Sequence, residues 1–380
     1  CSGPIRREAL PDSLIGKAEV MGLKGVRYCP EIESDMKAMA DEGIASFYAE
    51  KALYIERGGK GSLPPSNFLA ISGGGDKGAF GAGLLTGWTQ RGDRPEFKLV
   101  TGVSTGALMA PFAFLGPTYD EKLKEVYTGV SSSDILERRS ITAALWNDAM
   151  ADNWPLWKLL EKHIDQKMLD AIATEYKKGR LLLVATTNLD SQVPVIWNLT
   201  KIAASGKPKA LELFRSLMIA SAAIPGAFPP VLIDVVAGGR EYQEMHVDGG
   251  ATTQVFIYPP GLRTERMLSD RSEHRERRLY IIRNARLDHE WAEVERRTLP
   301  IIQKAINSLI QTQGIGDLYR LYLTAKQDLI DYNLAYIPKA FNAPHKEDFD
   351  QSYMRSLFDV GYQLSTKGNP WHKTPPGISD

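Results

Sequence analysis

The sequence is poor in several features that would assign a protein to a function class at first reading. Its 380 residues include two cysteines, Cys1 and Cys29, too few for a disulfide framework or a zinc site built from cysteines. Lys plus Arg and Asp plus Glu both number 46, so the net charge is zero, and no basic tract with interleaved aromatic residues is present. Nucleic acid is therefore not an expected partner. No two of the six histidines have the spacing of a zinc-binding helix, so we expect no bound metal.

A membrane-spanning helix is also missing from the pattern. The nearest candidate, residues 216–233, is uncharged and about as long as a spanning helix needs to be. It contains Pro225, Pro229 and Pro230, and proline removes a backbone donor and breaks helix geometry. We expect a short helix there, followed by a turn against the core.

The first residue, Cys1, carries an expectation of its own. A mature bacterial lipoprotein is cut immediately before a cysteine that is then acylated, and the polar residues 2–13 would form its tether. This interpretation predicts a membrane-surface protein of the bacterial cell envelope, at the outer membrane or the periplasmic face. The other interpretation is a trimmed chain that happens to begin at cysteine, which leaves a secreted or cytoplasmic location open.

The order of apolar runs and turn residues predicts an α/β fold. Short apolar runs predict strands, and stretches with apolar residues at three-to-four spacing predict helices. The predicted strands are residues 68–72, 97–100, 181–188, 193–198, 245–247, 279–284 and 334–337. The predicted helices are residues 31–57, 79–90, 106–115, 215–223 and 349–364, with 291–330 mostly helical. Such alternation is typical of a sheet covered by helices on both faces.

Composition divides the chain into three predicted parts. Residues 1–66 form a tether and a helical extension that ends in a Gly- and Pro-rich linker. Residues 67–285 form the catalytic domain. Residues 286–380 form a mostly helical C-terminal part that packs on the same domain.

The candidate nucleophile is Ser104, which is flanked by Gly102 and Gly106 in a G-x-S-x-G motif. It lies between a predicted strand and a predicted helix, the context in which this motif forms a sharp nucleophile turn. The helix that follows directs its N-terminal N–H groups toward the serine, where an oxyanion develops. The alternative interpretation is a glycine-rich connection without chemistry.

A second motif, Gly73-Gly74-Gly75-Asp76-Lys77-Gly78, follows the first predicted strand of the catalytic domain. It also matches the dinucleotide pattern G-x-G-x-x-G, which requires an acidic residue at the end of the next strand. That strand leads into Ser104 instead, so a nicotinamide site is disfavoured. Bare N–H groups of Gly74 and Gly75 would suit an oxyanion, and Lys77 would add positive charge nearby.

The third motif is Asp248-Gly249-Gly250 at the end of a short predicted strand. Asp-Gly is a common turn pair, so one interpretation is a simple turn. The functional interpretation is a carboxylate that accepts the serine proton, which requires an aligned and partly desolvated site. His246 lies two residues before Asp248 and would point to the same side of a strand, so a triad with histidine remains an alternative.

With these three motifs in this order, the sequence resembles the patatin-like phospholipase family, whose members use a Ser–Asp dyad without histidine. The family pattern is a Gly-rich oxyanion motif ending in a basic residue and glycine, then G-x-S-x-G, then Asp-Gly-Gly or Asp-Gly-Ala. Here these are GGGDKG, GVSTG and DGG, with Lys77 where many members carry arginine. Residues 221–230 and 353–361 also resemble family segments, and the likeness extends over about residues 67–285.

The resemblance implies a three-layer α/β/α sheet and a serine acyl hydrolase that cleaves carboxylic esters of lipids without a metal or an organic cofactor. Ser104 would be the nucleophile and Asp248 the base. The oxyanion hole would use the loop Gly73–Gly78 and Thr105, with Gly74, Gly75 and Thr105 as the N–H donors. The acyl chain and head group cannot be read from the sequence. A non-catalytic lipoprotein that binds lipid or a partner on the same fold is the alternative.

Overall fold

Alternating strands and helices build one central sheet with helices on both faces. A computed structural model describes residues 6–135, 137–138, 151–259, 275–291 and 293–378. The strands, numbered in chain order, are β1 (Arg27–Tyr28), β2 (Ser66–Ile71), β3 (Leu99–Val103), β4 (Glu137–Arg138), β5 (Ala151–Asp152), β6 (Leu181–Asn188), β7 (Val193–Asn198), β8 (Val231–Ala237), β9 (Arg240–Asp248), β10 (Arg277–Arg283) and β11 (Asp331–Tyr336). The helices are α1 (Glu33–Glu56), α2 (Gly78–Arg91), α3 (Thr105–Leu115), α4 (Asp120–Thr128), α5 (Ser132–Ile135), α6 (Trp154–His163), α7 (Gln166–Lys177), α8 (Leu199–Ala203), α9 (Ala210–Ala222), α10 (Thr298–Gln327) and α11 (Gln351–Lys367).

Within the described residues, nine strands join the central sheet, in the order β1-β7-β6-β3-β2-β10-β11, with the β8–β9 hairpin attached through β9 to β6. Strands β6, β3, β2, β10 and β11 run parallel, whereas β7 and β9 pair antiparallel with β6. The carboxyl ends of β2, β3 and β10 therefore meet at one edge of the sheet, which is where ligands bind in open α/β sheets.

The two faces of the sheet bury different sets of side chains. Along β2, Leu69 and Ile71 pack into the larger apolar cluster with helices such as α2, α3 and α9. Ala70, between them, packs into a second cluster with residues of α1 and α10. This alternation follows from the pleat of the strand. The α/β prediction, with helices on both faces, is confirmed.

Most predicted elements lie where the sequence placed them, but three regions differ. One is residues 120–177, where α4, α5, α6 and α7 form although no element was predicted there. Strands β6 and β7 have the predicted bounds, and α1 ends within a few residues of its predicted ends. The run predicted as a short helix and a turn does begin with α9, but it continues into β8 at Val231. The β8–β9 hairpin, which turns at Gly238 and Gly239, was not predicted in full. The helical prediction for 291–330 holds from Thr298.

Both ends of the described chain are part of the sheet. On the N-terminal side, Ala9 bridges to Gln243 of β9 and β1 pairs with β7. Arg6 bonds to the Asp190 side chain, so the described part of the expected tether is packed against the sheet rather than free. Cys1 lies outside the described residues. On the C-terminal side, β11 extends the sheet beside β10 and α11 packs on α2, so the sheet continues across both predicted boundaries.

Among the described residues, no helix combines the length and the apolar character that crossing a membrane requires.

Candidate active site

Ser104 occupies a strained turn between β3 and α3. Its backbone has φ 54° and ψ −126°, and the residue is 6% exposed. A positive φ is unfavourable for a residue with a Cβ, at a cost on the order of 1–3 kcal/mol. The turn closes because its flanks are glycines: a Cβ on Gly102 would lie 2.4 Å from the Gly106 carbonyl oxygen, and one on Gly106 would lie 2.3 Å from that of Ile71. The two glycines of the motif are therefore needed to close the backbone turn, as well as to leave room for substrate.

Strand register brings Asp248 to this turn. Strand β3 ends at Val103, which pairs with Ala185 of β6. The next residue of β6, Thr186, pairs with Asp248 at the end of β9. Two adjacent residues of β6 therefore pair with the end of β3 and with Asp248. This pairing brings the nucleophile turn and the Asp-Gly-Gly motif together, although Ser104 and Asp248 are 144 positions apart in the sequence.

The two side chains are in direct contact. The Ser104 hydroxyl donates a hydrogen bond of 2.6 Å to Oδ2 of Asp248, and the Gly250 N–H donates one of 2.7 Å to Oδ1. Burial raises the pKa of Asp248 to about 7, against the lowering effect of these two hydrogen bonds. A carboxylate with a pKa near neutrality is a far better proton acceptor than an ordinary one.

The Gly-rich loop offers N–H groups beside the serine. The N–H of Gly73 is engaged, because it donates to the Gln254 carbonyl (3.1 Å), so this residue of the predicted oxyanion-hole loop offers no free N–H. The N–H groups of Lys77 and Gly78 close the turn on carbonyls of the loop itself. Across the described part of the chain, the structure gives the Gly74 and Gly75 N–H groups no acceptor.

Gly74 is required at its position by space. Its φ is 158°, and a Cβ there would lie 2.2 Å from the carbonyl oxygen of Asn284. Thr105 completes the set of donors, since it is the first residue of α3 and its N–H has no acceptor among the residues described. Gly75 and Thr105 line the same cavity, so both loops border one space.

Two residues of the Gly-rich loop face away from the serine. Asp76 accepts hydrogen bonds from His345 Nε2 (2.7 Å) and from the backbone N–H of Phe349 (3.0 Å). The Lys77 amine is paired with the Glu290 carboxylate at 2.8 Å, so the added positive charge expected near the oxyanion is neutralised there. Both contacts hold the loop to later parts of the chain.

His246 does not approach the serine. It is fully buried, and its Nδ1 lies 2.9 Å from the Thr186 hydroxyl while its Nε2 lies 3.2 Å from Glu244. Glu244 in turn pairs with Arg27 at 2.9 Å. His246 shares the strand face of Asp248, as the alternation predicted, but its ring is held in a separate polar cluster and has no bond to Ser104.

Sequence reasoning missed three residues that support the site. Ser221 accepts the Ser104 N–H (3.0 Å) and donates to the Ala185 carbonyl (2.7 Å). Gln254 joins two motifs, because its carbonyl receives the Gly73 N–H and its amide donates to the Gly250 carbonyl (2.7 Å). Asn284 donates through its amide to the Ser72 carbonyl (3.0 Å). Ser221 lies in the segment that resembled the family, whereas nothing local marks the other two.

An apolar cavity opens from the donor loops. Gly75, Asp76 and Thr105 line it on one side. Its other walls are mainly apolar side chains of α3, α4, α5, α6 and α11. These lining residues include Leu108, Phe112, Val126, Leu156, Leu160 and Met354. A site with one polar corner and apolar walls fits an ester whose acyl part is hydrocarbon.

In the ranges that the structure describes, no group of three or more His, Cys, Asp or Glu side chains is arranged to hold a metal ion.

Comparison with known proteins gives one family match and two distant structural similarities. A scan against family models matches residues 69–259, half of the 380-residue chain, to patatin-like phospholipase. The solved structure of VipD from Legionella pneumophila is similar over 80% of this chain and 67% of its own, at 13% identity and a TM-score of 0.37. ExoU of the Pseudomonas aeruginosa type III secretion system, solved in complex with SpcU, is similar over 80% of this chain at 12% identity and a TM-score of 0.32. The match spans 52% of the ExoU chain. A comparison with curated proteins found no match.

Proposed function

The chain belongs to the patatin-like phospholipase family, whose members are generally lipid acyl hydrolases, and from this premise we propose that it cleaves carboxylic esters of lipids with a Ser104–Asp248 dyad. The reaction is of the phospholipase A, lysophospholipase or esterase type and proceeds through an acyl-enzyme. It needs neither a metal nor an organic cofactor.

In the proposed reaction, Asp248 accepts the hydroxyl proton of Ser104 while Oγ attacks the ester carbonyl carbon. The N–H groups of Gly74, Gly75 and Thr105 stabilise the negative charge that develops on the carbonyl oxygen. Collapse of the tetrahedral intermediate expels the alcohol, which takes the proton from Asp248. A water molecule then attacks the acyl-Ser104 carbonyl carbon and gives a proton to Asp248. Collapse of this second tetrahedral intermediate breaks the bond to Ser104 Oγ, which takes the proton back from Asp248, and the carboxylic acid is released.

The observation that carries this proposal is the buried 2.6 Å hydrogen bond from the Ser104 hydroxyl to Asp248. A buried carboxylate without a cationic partner is costly, and the raised pKa of Asp248 is the physical sign of that cost. Among the residues described, the only side chain bonded to it is a serine held in a strained turn. Pairs of this kind, a nucleophile and a base whose pKa is shifted toward neutrality, are typical of active sites.

The apolar walls of the cavity are an argument for a substrate whose acyl part is a hydrocarbon chain. Two of the three proposed oxyanion donors, Gly75 and Thr105, border the cavity, so an ester carbonyl placed there would direct its acyl chain between α3 and α6. Leu160→Trp, on the far wall, is expected to lower turnover of a long-chain p-nitrophenyl ester and to leave a short-chain ester nearly unchanged. Equal losses on both esters would argue against this cavity as the acyl site.

The proposal is tested by turnover and by covalent labelling of the same preparations. Wild-type protein is expected to hydrolyse p-nitrophenyl esters and to react with a fluorophosphonate probe at one serine. Ser104→Ala removes both signals, whereas Ser131→Ala, at a half-buried serine bonded to Asp134, keeps both. Folded wild-type protein that neither labels nor turns over would instead indicate a lipid- or partner-binding protein on the same fold.

The expectation of an acylated Cys1, and with it a cell-envelope location, stands as a separate proposal. Intact-mass measurement of the native protein tests it, because acylation adds the mass of its lipid chains. An unmodified Cys1 would remove the anchor and leave the hydrolase proposal untouched.

A further inference from the structure

Helix α10 has two apolar faces on opposite sides. On one side Leu318, Leu321 and Ala325 pack into the second core cluster below the sheet. On the opposite side Leu309 and Leu323 are 70% and 59% exposed. They are 14 residues apart, about four turns at 3.6 residues per turn, so they lie in line on the helix surface.

The exposed line continues toward the start of the helix. Ile301 and Ile302 are each 49% exposed, and Ala305 is exposed one turn before Leu309. We name the surface made by Ile301, Ile302, Ala305, Leu309 and Leu323 the outer face of α10. From Ile301 to Leu323 it extends about 33 Å at 1.5 Å per residue. The apolar side chains are concentrated between Ile301 and Leu309, and Leu323 lies four turns further on, beyond Thr312, Gly316 and Arg320. Exposed apolar groups of this kind mark a surface that contacts an apolar environment.

Three of the four charged side chains on this helix are basic, and one of the three, Arg320, is paired at 2.5 Å with the single acid. Its bases are Lys304, Arg320 and Lys326, and its one acid is Asp317. Asp317 is 2% exposed and accepts the backbone N–H of Gln254 at 2.7 Å. The outer face is therefore flanked by two lysines, Lys304 and Lys326, and apolar helix faces flanked by bases are typical of helices that lie in the interface of an anionic bilayer.

The outer face is physically joined to the proposed active site. Asp317, on the buried side, holds Gln254, which accepts the N–H of Gly73 at 3.1 Å. Near the start of the helix, Lys304 donates to the Glu290 carbonyl (3.3 Å), and the Glu290 side chain pairs with Lys77 of the Gly-rich loop. Trp291, next to Glu290, is 83% exposed, and tryptophan favours the membrane–water interface.

We propose that the outer face of α10 docks the protein on an anionic lipid surface and so presents the active site to lipid esters there. The proposal rests on the proposed function, because it is the acyl hydrolase that needs access to a bilayer. A second copy of the chain fits this face less well, since two copies would bring rows of Lys and Arg together without an exposed acid on the helix between them.

The test separates docking from catalysis. Ser104→Ala protein, which cannot consume lipid, is floated with vesicles of phosphatidylcholine with and without phosphatidylglycerol. Binding is expected with phosphatidylglycerol, and high salt is expected to weaken it. Leu309→Ser with Leu323→Ser is expected to reduce the partition coefficient at least about tenfold. The matched control is Leu189→Ser with Val236→Ser, both 41% exposed and on the side of the sheet away from α10.

The same pairs of substitutions are then made with Ser104 intact and assayed on a short soluble ester. Soluble turnover is expected within twofold of the wild type for both pairs, while hydrolysis of phosphatidylglycerol vesicles falls only for the α10 pair. If the α10 pair floats as the parent does, the docking proposal is wrong whatever the turnover shows. If flotation falls as expected but no protein turns over any ester, docking stands and the hydrolase proposal fails. Self-association that the α10 pair abolishes, without vesicle binding, would assign the face to a second copy and overturn docking.

Discussion

Two carboxylates lie four residues apart on strand β9, in opposite electrostatic surroundings. Glu244 is fully buried and has two cationic or potentially cationic neighbours, Arg27 at 2.9 Å and His246 at 3.2 Å. Asp248 is 5% exposed and is bonded to a hydroxyl and a backbone N–H, and no cationic side chain in the described ranges pairs with it. Burial alone would raise the pKa of Glu244, but the His246 and Arg27 contacts hold it below its ordinary value. The pKa of Asp248 is raised to about 7 by burial.

The difference shows how one strand serves both structure and chemistry. A buried carboxylate with a counter-charge stays ionised and holds strands together, whereas one without a counter-charge is ready to take a proton. The cluster at Glu244 ties β1, β6 and β9 through Arg27 and Thr186. The substitutions below separate the two carboxylates, from the largest expected effect to the smallest.

Asp248→Asn is expected to have the largest effect, and on activity. An amide cannot accept the serine proton, so turnover of a soluble ester should fall about 10⁴-fold, as when a member of a catalytic triad is lost. The protein should remain folded, since the substitution removes a charge from a buried site. His246→Gln is the control, because its ring lacks a bond to Ser104. If His246→Gln stays folded but loses as much activity as Asp248→Asn, the dyad assignment fails.

Glu244→Gln is expected to reverse this result, with a loss of stability and little loss of activity. It leaves the Arg27 guanidinium, 5% exposed, without its carboxylate, and breaking a buried ion pair costs about 3–5 kcal/mol. Denaturant unfolding measures the free energy, and active-site titration with a fluorophosphonate normalises turnover to folded molecules. A stable but inactive Glu244→Gln variant would contradict the assignment of Glu244 to stability and of Asp248 to catalysis.

How far the sequence could predict this arrangement depends on how local each signal is. The three glycine motifs and the strands beside them were readable, because each needs only neighbouring residues. The side of β9 on which His246 lies was also predicted by alternation. Whether its ring meets the serine was not, because that depends on Glu244 and on Thr186 from another strand.

The contacts of the Gly-rich loop were beyond sequence reasoning for the same reason. Asp76 bonds to His345, which is 269 positions away, and Lys77 to Glu290, 213 positions away. Lys77 was expected to place a positive charge near the oxyanion because no residue close to it in the sequence neutralises that charge. The β8–β9 hairpin was not predicted in full because the prolines just before Val231 interrupt the apolar pattern in the sequence.

The pH dependence of activity is the next way to sharpen the comparison. Asp248 acts as a base only when it is ionised, so kcat/KM should rise as the pH increases through about 7 and level off above it. Measurement with a soluble ester avoids effects of pH on a lipid surface. Glu244→Gln should keep this rise near the same pH. A profile that rises near pH 4 instead, the range of an ordinary carboxyl, would contradict the raised pKa.

Stability should depend on pH in the opposite sense. Between about pH 4 and 7, folded Asp248 is protonated and unfolded Asp248 is ionised, so rising pH favours unfolding. Asp248→Asn lacks this titration, and its stability relative to the wild type should therefore increase over that range and stay constant above it. Denaturant unfolding at several pH values measures the difference. A difference that is independent of pH would mean that Asp248 titrates alike in both states.

The smallest expected effect concerns the backbone, where the two clusters also differ. Glu244 and His246 lie in regular strand pairing, whereas Ser104 has a positive φ of 54°. Glycine adopts this conformation without a Cβ penalty, so Ser104→Gly should be more stable than Ser104→Ala by about 1 kcal/mol in denaturant unfolding. At Ser216, inside helix α9, the order should invert, since glycine is less stable than alanine in a helix by about 1 kcal/mol. Equal stability of Ser104→Gly and Ser104→Ala would show that the nucleophile turn stores no strain, and its geometry would then be set by the glycines on either side alone.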